Sequence, residues 1–369
     1  MKILFLYLDA FSNVGGIQNF NKYFIKALED IKSNSDLEFL AYSLYDNNYD
    51  ERYVSSSNFC GFNSNKTIFT IRSIIQSLKS DLIILGHINL YPIGLLFKLF
   101  GKKIIVVGHG VDVWENVNSL KKKLLQYSDS VLAVSHFTKG KLIKQHSVAE
   151  HKIIIFPNTF DPYLKLPQKF EKPISLIRQH NIKQNEKIIL TVSRLSAVDR
   201  YKGYDKVIEV MPELLKEIPV ARYIIIGEGD DDEILRIKKL ITDLNLSDKV
   251  IMTGYVTDKE LFDYYMLADV FIMPSKGEGF GIVFLEALLR GLPVIAGNKD
   301  GAVDPLLGGK IGILVDPDNL KSISEAIISI LEKKVDNSLI DSEFLKEQVY
   351  KEFGFDRFRS RLNNLLEEF

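Results

Sequence analysis

At 369 residues the chain is long for one hydrophobic core and fits two domains. A formal net charge of −1, with 46% hydrophobic and 26% charged residues, describes an ordinary globular chain and gives no basic excess for a nucleic-acid partner. The lone cysteine, Cys60, excludes an internal disulfide and reads as a packing residue in a reducing compartment; no His or Cys pair has metal-ligand spacing, so neither metal nor cofactor is expected.

The apolar opening Met1–Leu8 is short, is ended by Asp9 and lacks a clean cleavage site, so it reads as a buried first strand; no run approaches the roughly 20 apolar residues of a membrane span. A cytoplasmic protein is expected. Strands are expected at 3–7, 82–85, 104–107, 131–134 and 153–156, with helices at 18–28, 71–78 and 120–127 between them. Residues 41–66 read as polar loops. The stretch Leu95–Lys103, apolar with basic residues beside it, has two readings: a core helix followed by a strand, or a peripheral contact with the inner face of an anionic membrane. Pro157, Pro162, Pro167 and Pro173 interrupt the alternation and mark a link between domains 1–165 and 166–352. Strands follow at 188–193, 223–226, 250–252, 270–273, 294–296 and 313–315, with helices at 207–218, 233–244, 259–267 and 323–331. A last helical stretch, 353–369, carries Phe355, Phe358, Leu362, Leu365 and Leu366 on one side and fits a return to the first domain. Continuous apolar strands alternating with helices imply parallel sheets covered on both faces, hence two doubly wound, Rossmann-like α/β domains. Ligands in such folds bind at the carboxyl ends of strands, and two facing domains offer two such edges across one cleft.

The densest signal is Gly277–Glu286, where two glutamates bracket seven residues and the first sits among glycines. It follows the strand-like Val270–Met273 and leads into a helix over 282–290 that Gly291 stops. At such a strand-to-helix turn, Gly279, Phe280, Gly281 and Ile282 offer backbone N–H groups to an anion. Carboxylates beside a phosphate site need hydroxyls to accept from, and a phosphate next to hydroxyls describes a nucleotide sugar. Arg194 and Lys202, on the loop after the strand 188–193, suit a diphosphate leaving group. Gly15 and Gly16 open the first helix and permit close approach of a ligand. His109 follows a strand in Gly108-His109-Gly110, and His87 is a weaker candidate. Gly227 also lies at a strand end, and Asp230–Asp232 behind it complement a helix dipole rather than bind metal. Thr253–Val256, with Tyr255 and Val256, suits contact with a base, and Asn298–Gly301 lines the same edge more weakly.

These residues resemble the family 4 retaining glycosyltransferases of the GT-B fold, over nearly the whole chain from Gly15-Gly16 to Gly301, with the E-x₇-E element Glu278–Glu286 the most specific match. The Arg194-to-Lys202 spacing is longer than in many members. The resemblance implies that Glu278 faces the donor-sugar hydroxyls, Glu286 the ribose, the Phe280 and Gly281 amides the phosphates, Arg194 and Lys202 the diphosphate, and His109 the transferred sugar. It implies a catalytic set of His109, Arg194, Lys202 and Glu278. The implied donor set is Gly15, Gly16, Arg194, Lys202, Gly227, Tyr255, Val256, Glu278, Gly279, Phe280, Gly281, Ile282 and Glu286. The expected reaction is metal-independent transfer of a hexose, with retention, from a nucleoside diphosphate sugar (UDP-glucose favoured, GDP-mannose next) to a glycan or lipid-linked acceptor. The alternatives are a nucleotide-sugar 2-epimerase of the same fold and an inactive nucleotide-sugar-binding module.

Overall fold

Thirteen parallel strands in two sheets organise the chain in the computed structural model, which describes residues 1–369 apart from 116 and 168. The N-terminal unit comprises 1–164 and 352–369; the C-terminal unit comprises 165–351.

The N-terminal sheet has the order β3-β2-β1-β4-β5-β6-β7. Its strands are β1 (Lys2–Tyr7), β2 (Glu38–Ser43), β3 (Phe59–Gly61), β4 (Leu82–Leu85), β5 (Lys103–Gly108), β6 (Ser130–Ala133) and β7 (Ile153–Ile155). Strands β1, β4 and β6 are buried along nearly their whole length, as apolar strands covered on both faces must be. Strands β2 and β3 correct the reading of 41–66 as loop: β2 ends inside that stretch and β3 lies within it. Helix α1 (Gly16–Lys32) follows β1, α2 (Lys66–Ser77) follows β3, and α3 (Tyr91–Leu99) follows β4. Leu95–Lys103 is thus the end of α3 and the start of β5; Phe97 is buried, while Leu99 and Phe100 are exposed.

The closing helix, Phe355–Glu367, packs on α1. Its Phe358 ring lies 4.8 Å from Phe156 and 5.8 Å from Phe20, in edge-to-face contacts. Just before it, Thr159 Oγ1 donates to the Phe353 carbonyl at 2.7 Å. The N-terminal unit is therefore assembled from both ends of the described chain.

The C-terminal sheet has the order β10-β9-β8-β11-β12-β13. Its strands are β8 (Lys187–Val192), β9 (Ala221–Ile226), β10 (Val250–Gly254), β11 (Val270–Met273), β12 (Val294–Gly297) and β13 (Ile313–Val315). Chain order reverses between β8 and β11, which is the topological switch of this sheet; in the N-terminal sheet the switch lies between β1 and β4.

Candidate active site

Arg194 and Glu278 follow β8 and β11, the two strands that flank the switch of the C-terminal sheet. The loop after β8 is strapped to the loop after β9: Leu195 N donates to the Glu228 carbonyl and Asp230 N to the Leu195 carbonyl, at 2.7 and 2.9 Å. A 3-10 helix, Ala197–Lys202, takes up the long spacer between Arg194 and Lys202. It is anchored by Glu233, whose buried side chain accepts from Arg200, Tyr204 and Arg236. Burial pushes that carboxyl up, but the three hydrogen bonds outweigh it and bring it down to about 2. Arg194 Nε donates to Asp199 at 2.6 Å, while the rest of its side chain is largely exposed. Its charge is held in place at one end and offered to solvent at the other.

Lys202 Nζ lies 3.3 Å from Glu278 Oε2, with both side chains mostly buried. The cation from one loop and the carboxylate from the other thus form a charge-compensated pair. Glu278 is positioned by Asp300, at the end of the loop after β12: Oδ2 accepts from Glu278 N and from Ser275 Oγ, both at 2.7 Å, and Oδ1 accepts from Ala302 N at 2.9 Å. Burial pushes the Asp300 carboxyl up to about 6 against these three bonds. Gly301 N closes the loop by donating to the Glu278 carbonyl at 2.8 Å; a Cβ on Gly301 would lie 2.0 Å from the Gly279 carbonyl oxygen, so only glycine fits. Gly281 (φ +93°) is a second position where glycine is required, and it starts the helix Ile282–Leu288. The side chains of Phe280 and Ile282 are buried.

Glu286 lies one turn into that helix, where the Tyr265 hydroxyl donates to Oε2 at 3.1 Å. Burial, and then the Glu286 charge, push the Tyr265 pKa well up, so the phenol keeps its proton and its role as donor. Arg290 holds the helix from below, donating to the Glu286 carbonyl at 2.7 Å and lying over the Tyr265 ring at 4.9 Å. Gly227 N donates to the Gly254 carbonyl at 3.0 Å, which joins the ends of β9 and β10. Tyr255 is exposed just beyond β10, the outer strand two places from β8, with Val256 next to it. The structure thus brings together Arg194, Lys202 and Glu278 through the loops at the switch, while Tyr255 and Val256 stand at the sheet's edge.

Gly15, Gly16 and His109 belong to the N-terminal unit. The loop before Gly15 is organised by two buried acids. Asp46 accepts from the backbone of Ala10, Phe11 and Ser12, and Asp9 accepts from Asn13 and Gln18. A Cβ on Gly16 would meet nothing within 4 Å, so packing inside the unit does not account for that glycine. His109 Nε2 lies 2.8 Å from the Gly86 carbonyl, which can only accept; Nε2 therefore carries the proton and Nδ1 remains an acceptor. Burial lowers its pKa to about 4 despite the Gly86 bond, so the ring is neutral at physiological pH. Asp112 Oδ1 accepts from His109 N at 3.0 Å, and burial pushes the Asp112 carboxyl up to about 7. His87 Nδ1 accepts from Asn89 N at 3.0 Å and caps a short 3-10 turn.

Reading along the chain did not single out Asp199 or Tyr265 and ranked Asp300 low. Asp300 carried a weak signal, its place just past a strand end. Tyr265 carried none, because its partner Glu286 is 21 residues away.

Two family models match. The model described as glycosyl transferases group 1 covers residues 174–350, and the one described as glycosyltransferase family 4 covers 14–163. A GDP-mannose-dependent α-(1-6)-phosphatidylinositol monomannoside mannosyltransferase of Mycobacterium tuberculosis is 34% identical over 183 residues, 48% of this chain and 47% of that enzyme. The chain thus spans about half the length of this mycobacterial relative. An uncharacterized protein in the cps region of Klebsiella pneumoniae is 27% identical over 304 residues, 78% of each chain. Among solved structures, HepE of Anabaena in complex with UDP aligns over the whole of both chains with a TM-score of 0.79 at 18% identity. The sucrose-phosphate synthase of Thermosynechococcus elongatus aligns over 100% of this chain and 98% of its own with a TM-score of 0.78 at 21% identity. At these identities the structural likeness is one of fold. With a matching model on each unit and this two-sheet architecture, the chain belongs to the family 4 glycosyltransferases of the GT-B fold.

Proposed function

We propose that the chain is a retaining hexosyltransferase that moves a sugar from a nucleoside diphosphate to a glycan or lipid-linked acceptor without a metal. The observation that carries the reading is the Lys202–Glu278 pair on loops that flank the strand-order switch, with Arg194 beside it. Family membership supports the same activity.

In this reading Arg194 and Lys202 stabilise charge that grows on the departing nucleoside diphosphate. Glu278 accepts from hydroxyls of the donor sugar and Glu286 from the ribose. His109, neutral, accepts a hydroxyl at Nδ1. The anomeric carbon–phosphate oxygen bond breaks as the acceptor oxygen bonds to that carbon from the same face, and the acceptor proton passes to the leaving phosphate oxygen. Among donors, the GDP-mannose dependence of the mycobacterial relative supports GDP-mannose, while the sequence motifs favour UDP-glucose. The same relative's phosphatidylinositol monomannoside acceptor supports a lipid-linked acceptor.

Thermal-shift screening with UDP-, GDP- and ADP-sugars identifies the donor. Proton NMR of the product, with EDTA present, then checks the anomeric configuration. Retention is expected. Inversion, a strict metal requirement, or an isomerised donor formed without acceptor would overturn the proposal. Glu286→Ala is expected to weaken nucleoside diphosphate binding about ten-fold by calorimetry, the scale of one good hydrogen bond to a charged group. Unchanged affinity would remove Glu286 from the ribose site.

A further inference from the structure

Helix α2 is turned inside out. Its buried positions are Phe69, Ser73 and Ser77, while Ile68, Ile71, Ile75 and Leu78, at i, i+3, i+7 and i+10 on one face, are 50%, 52%, 51% and 64% exposed. A helix stabilised only by its own unit would bury the isoleucines and expose the serines. The patch continues onto the end of α3, where Leu99 is 82% and Phe100 49% exposed. Lys102 ties the two helix ends together, its Nζ donating to the carbonyls of Leu78 and Ser80 at 3.3 and 3.0 Å. A contiguous exposed apolar patch of this kind marks an interaction surface.

Charge says what covers it. From Tyr53 to Val111 the only acid is Asp81, against six bases: Lys66, Arg72, Lys79, Lys98, Lys102 and Lys103. Asp81 is already engaged by Lys2 N. Among the described residues, Lys66, Arg72 and Lys79 have no acid within ion-pair distance. At the start of α2 the face opens into a groove of about 390 Å³ lined by Tyr42, Cys60, Phe62, Ile68 and Arg72. This is an apolar floor with a cation at its rim, the chemistry of a lipid chain below a phosphate. No helix among the described residues is long and apolar enough to cross a membrane. Contact made through this face is therefore peripheral.

We propose that the outer face of α2, together with the end of α3, docks on an anionic lipid bilayer. The isoleucines and Leu99 enter the boundary between headgroups and acyl chains, while Arg72, Lys79 and Lys66 meet lipid phosphates. The proposal deepens the lipid-linked-acceptor reading and rests on it for its purpose. Vesicle binding needs no donor and no transfer, so the two readings fail separately.

The test is cosedimentation of the full chain with vesicles of phosphatidylcholine alone, and of phosphatidylcholine mixed with phosphatidylglycerol. Binding to the mixed vesicles is expected, with little to the neutral ones, and salt should weaken it. Ile71→Glu with Ile75→Glu, and separately Leu99→Glu, should each lower the bound fraction about ten-fold. Arg72→Ala and Lys79→Ala alter exposed residues and should cost about five-fold each, with an unchanged melting curve. Absence of binding, equal binding to neutral vesicles, or wild-type binding by these variants would overturn the proposal. So would lipid-free self-association that Ile71→Glu with Ile75→Glu abolishes, because the face would then pair copies of the chain.

Discussion

Replacing Lys202 by alanine is expected to lower kcat by about three orders of magnitude. Losing one preorganised stabiliser of leaving-group charge costs roughly 10²–10³ in rate. A second effect acts in the same direction. The Lys202 ammonium lies 3.3 Å from Glu278 Oε2, and both are mostly buried. Without it, an unpaired carboxylate faces the site where a diphosphate would bind, and two anions repel. Lys202→Arg keeps the charge and should restore part of the rate, though a planar fork does not reproduce a point donor. Lys216→Ala, which breaks an exposed surface pair with Glu213, should leave the rate unchanged. Single-turnover kinetics with saturating donor would decide the matter, and a Lys202→Ala rate near that of the native chain would remove the residue from the mechanism.

Asp300→Asn should have the next largest effect, and it should act on stability and activity in different ways. The native carboxylate accepts three hydrogen bonds. An amide has one acceptor oxygen, so in either orientation its NH₂ group confronts a backbone N–H, that of Glu278 or of Ala302. An unpaired buried donor costs about 1–3 kcal/mol, and the Glu278 loop loses its anchor. Turnover should fall at least about ten-fold, with Glu278 displaced rather than removed.

The pH dependence gives an independent readout. The Asp300 carboxyl sits at about 6 in the fold against 3.8 for a free one, with burial as the cause. Between those values the folded chain binds more protons than the unfolded one. The stability that Asp300 contributes is therefore full below pH 4 and is lost as pH rises through about 6, an effect of roughly 3 kcal/mol. The asparagine variant should lose that slope in a comparison of urea melts across pH 4–7. Activity runs the opposite way. The ionised form is the better acceptor for all three donors, so kcat/KM should fall as pH drops below about 6, and this limb should be missing in the variant. Identical pH profiles for the two proteins would mean that Asp300 does not control the loop.

The strands that could be read along the chain were those buried on both faces, such as Leu82–Leu85 and Val270–Met273, because burial on two sides writes an unbroken apolar run. The strand Glu38–Ser43 mixes polar and apolar residues, and Phe59–Gly61 is three half-buried residues at an edge; neither is long enough to outweigh its polar setting. Gly277–Glu286 stood out for a similar reason. Glycines that must approach neighbouring backbone leave a local mark, as Gly281 and Gly301 do. Tyr265 and Asp300 act through hydrogen bonds to partners brought near by the fold, and a residue of that kind looks ordinary in its own neighbourhood. The inverted helix α2 was hidden for another reason: amphipathic spacing reports that a helix has two faces and is silent on which one the fold buries.

The return of the closing helix to α1 has a consequence during synthesis. The first 164 residues leave the ribosome without Phe358, whose ring completes their aromatic layer. About 190 further residues must be translated before that side chain arrives, a wait of roughly 10–40 s at about 5–20 residues per second. Throughout that interval Phe20, Phe24 and Phe156 lack the ring that covers them in the finished fold.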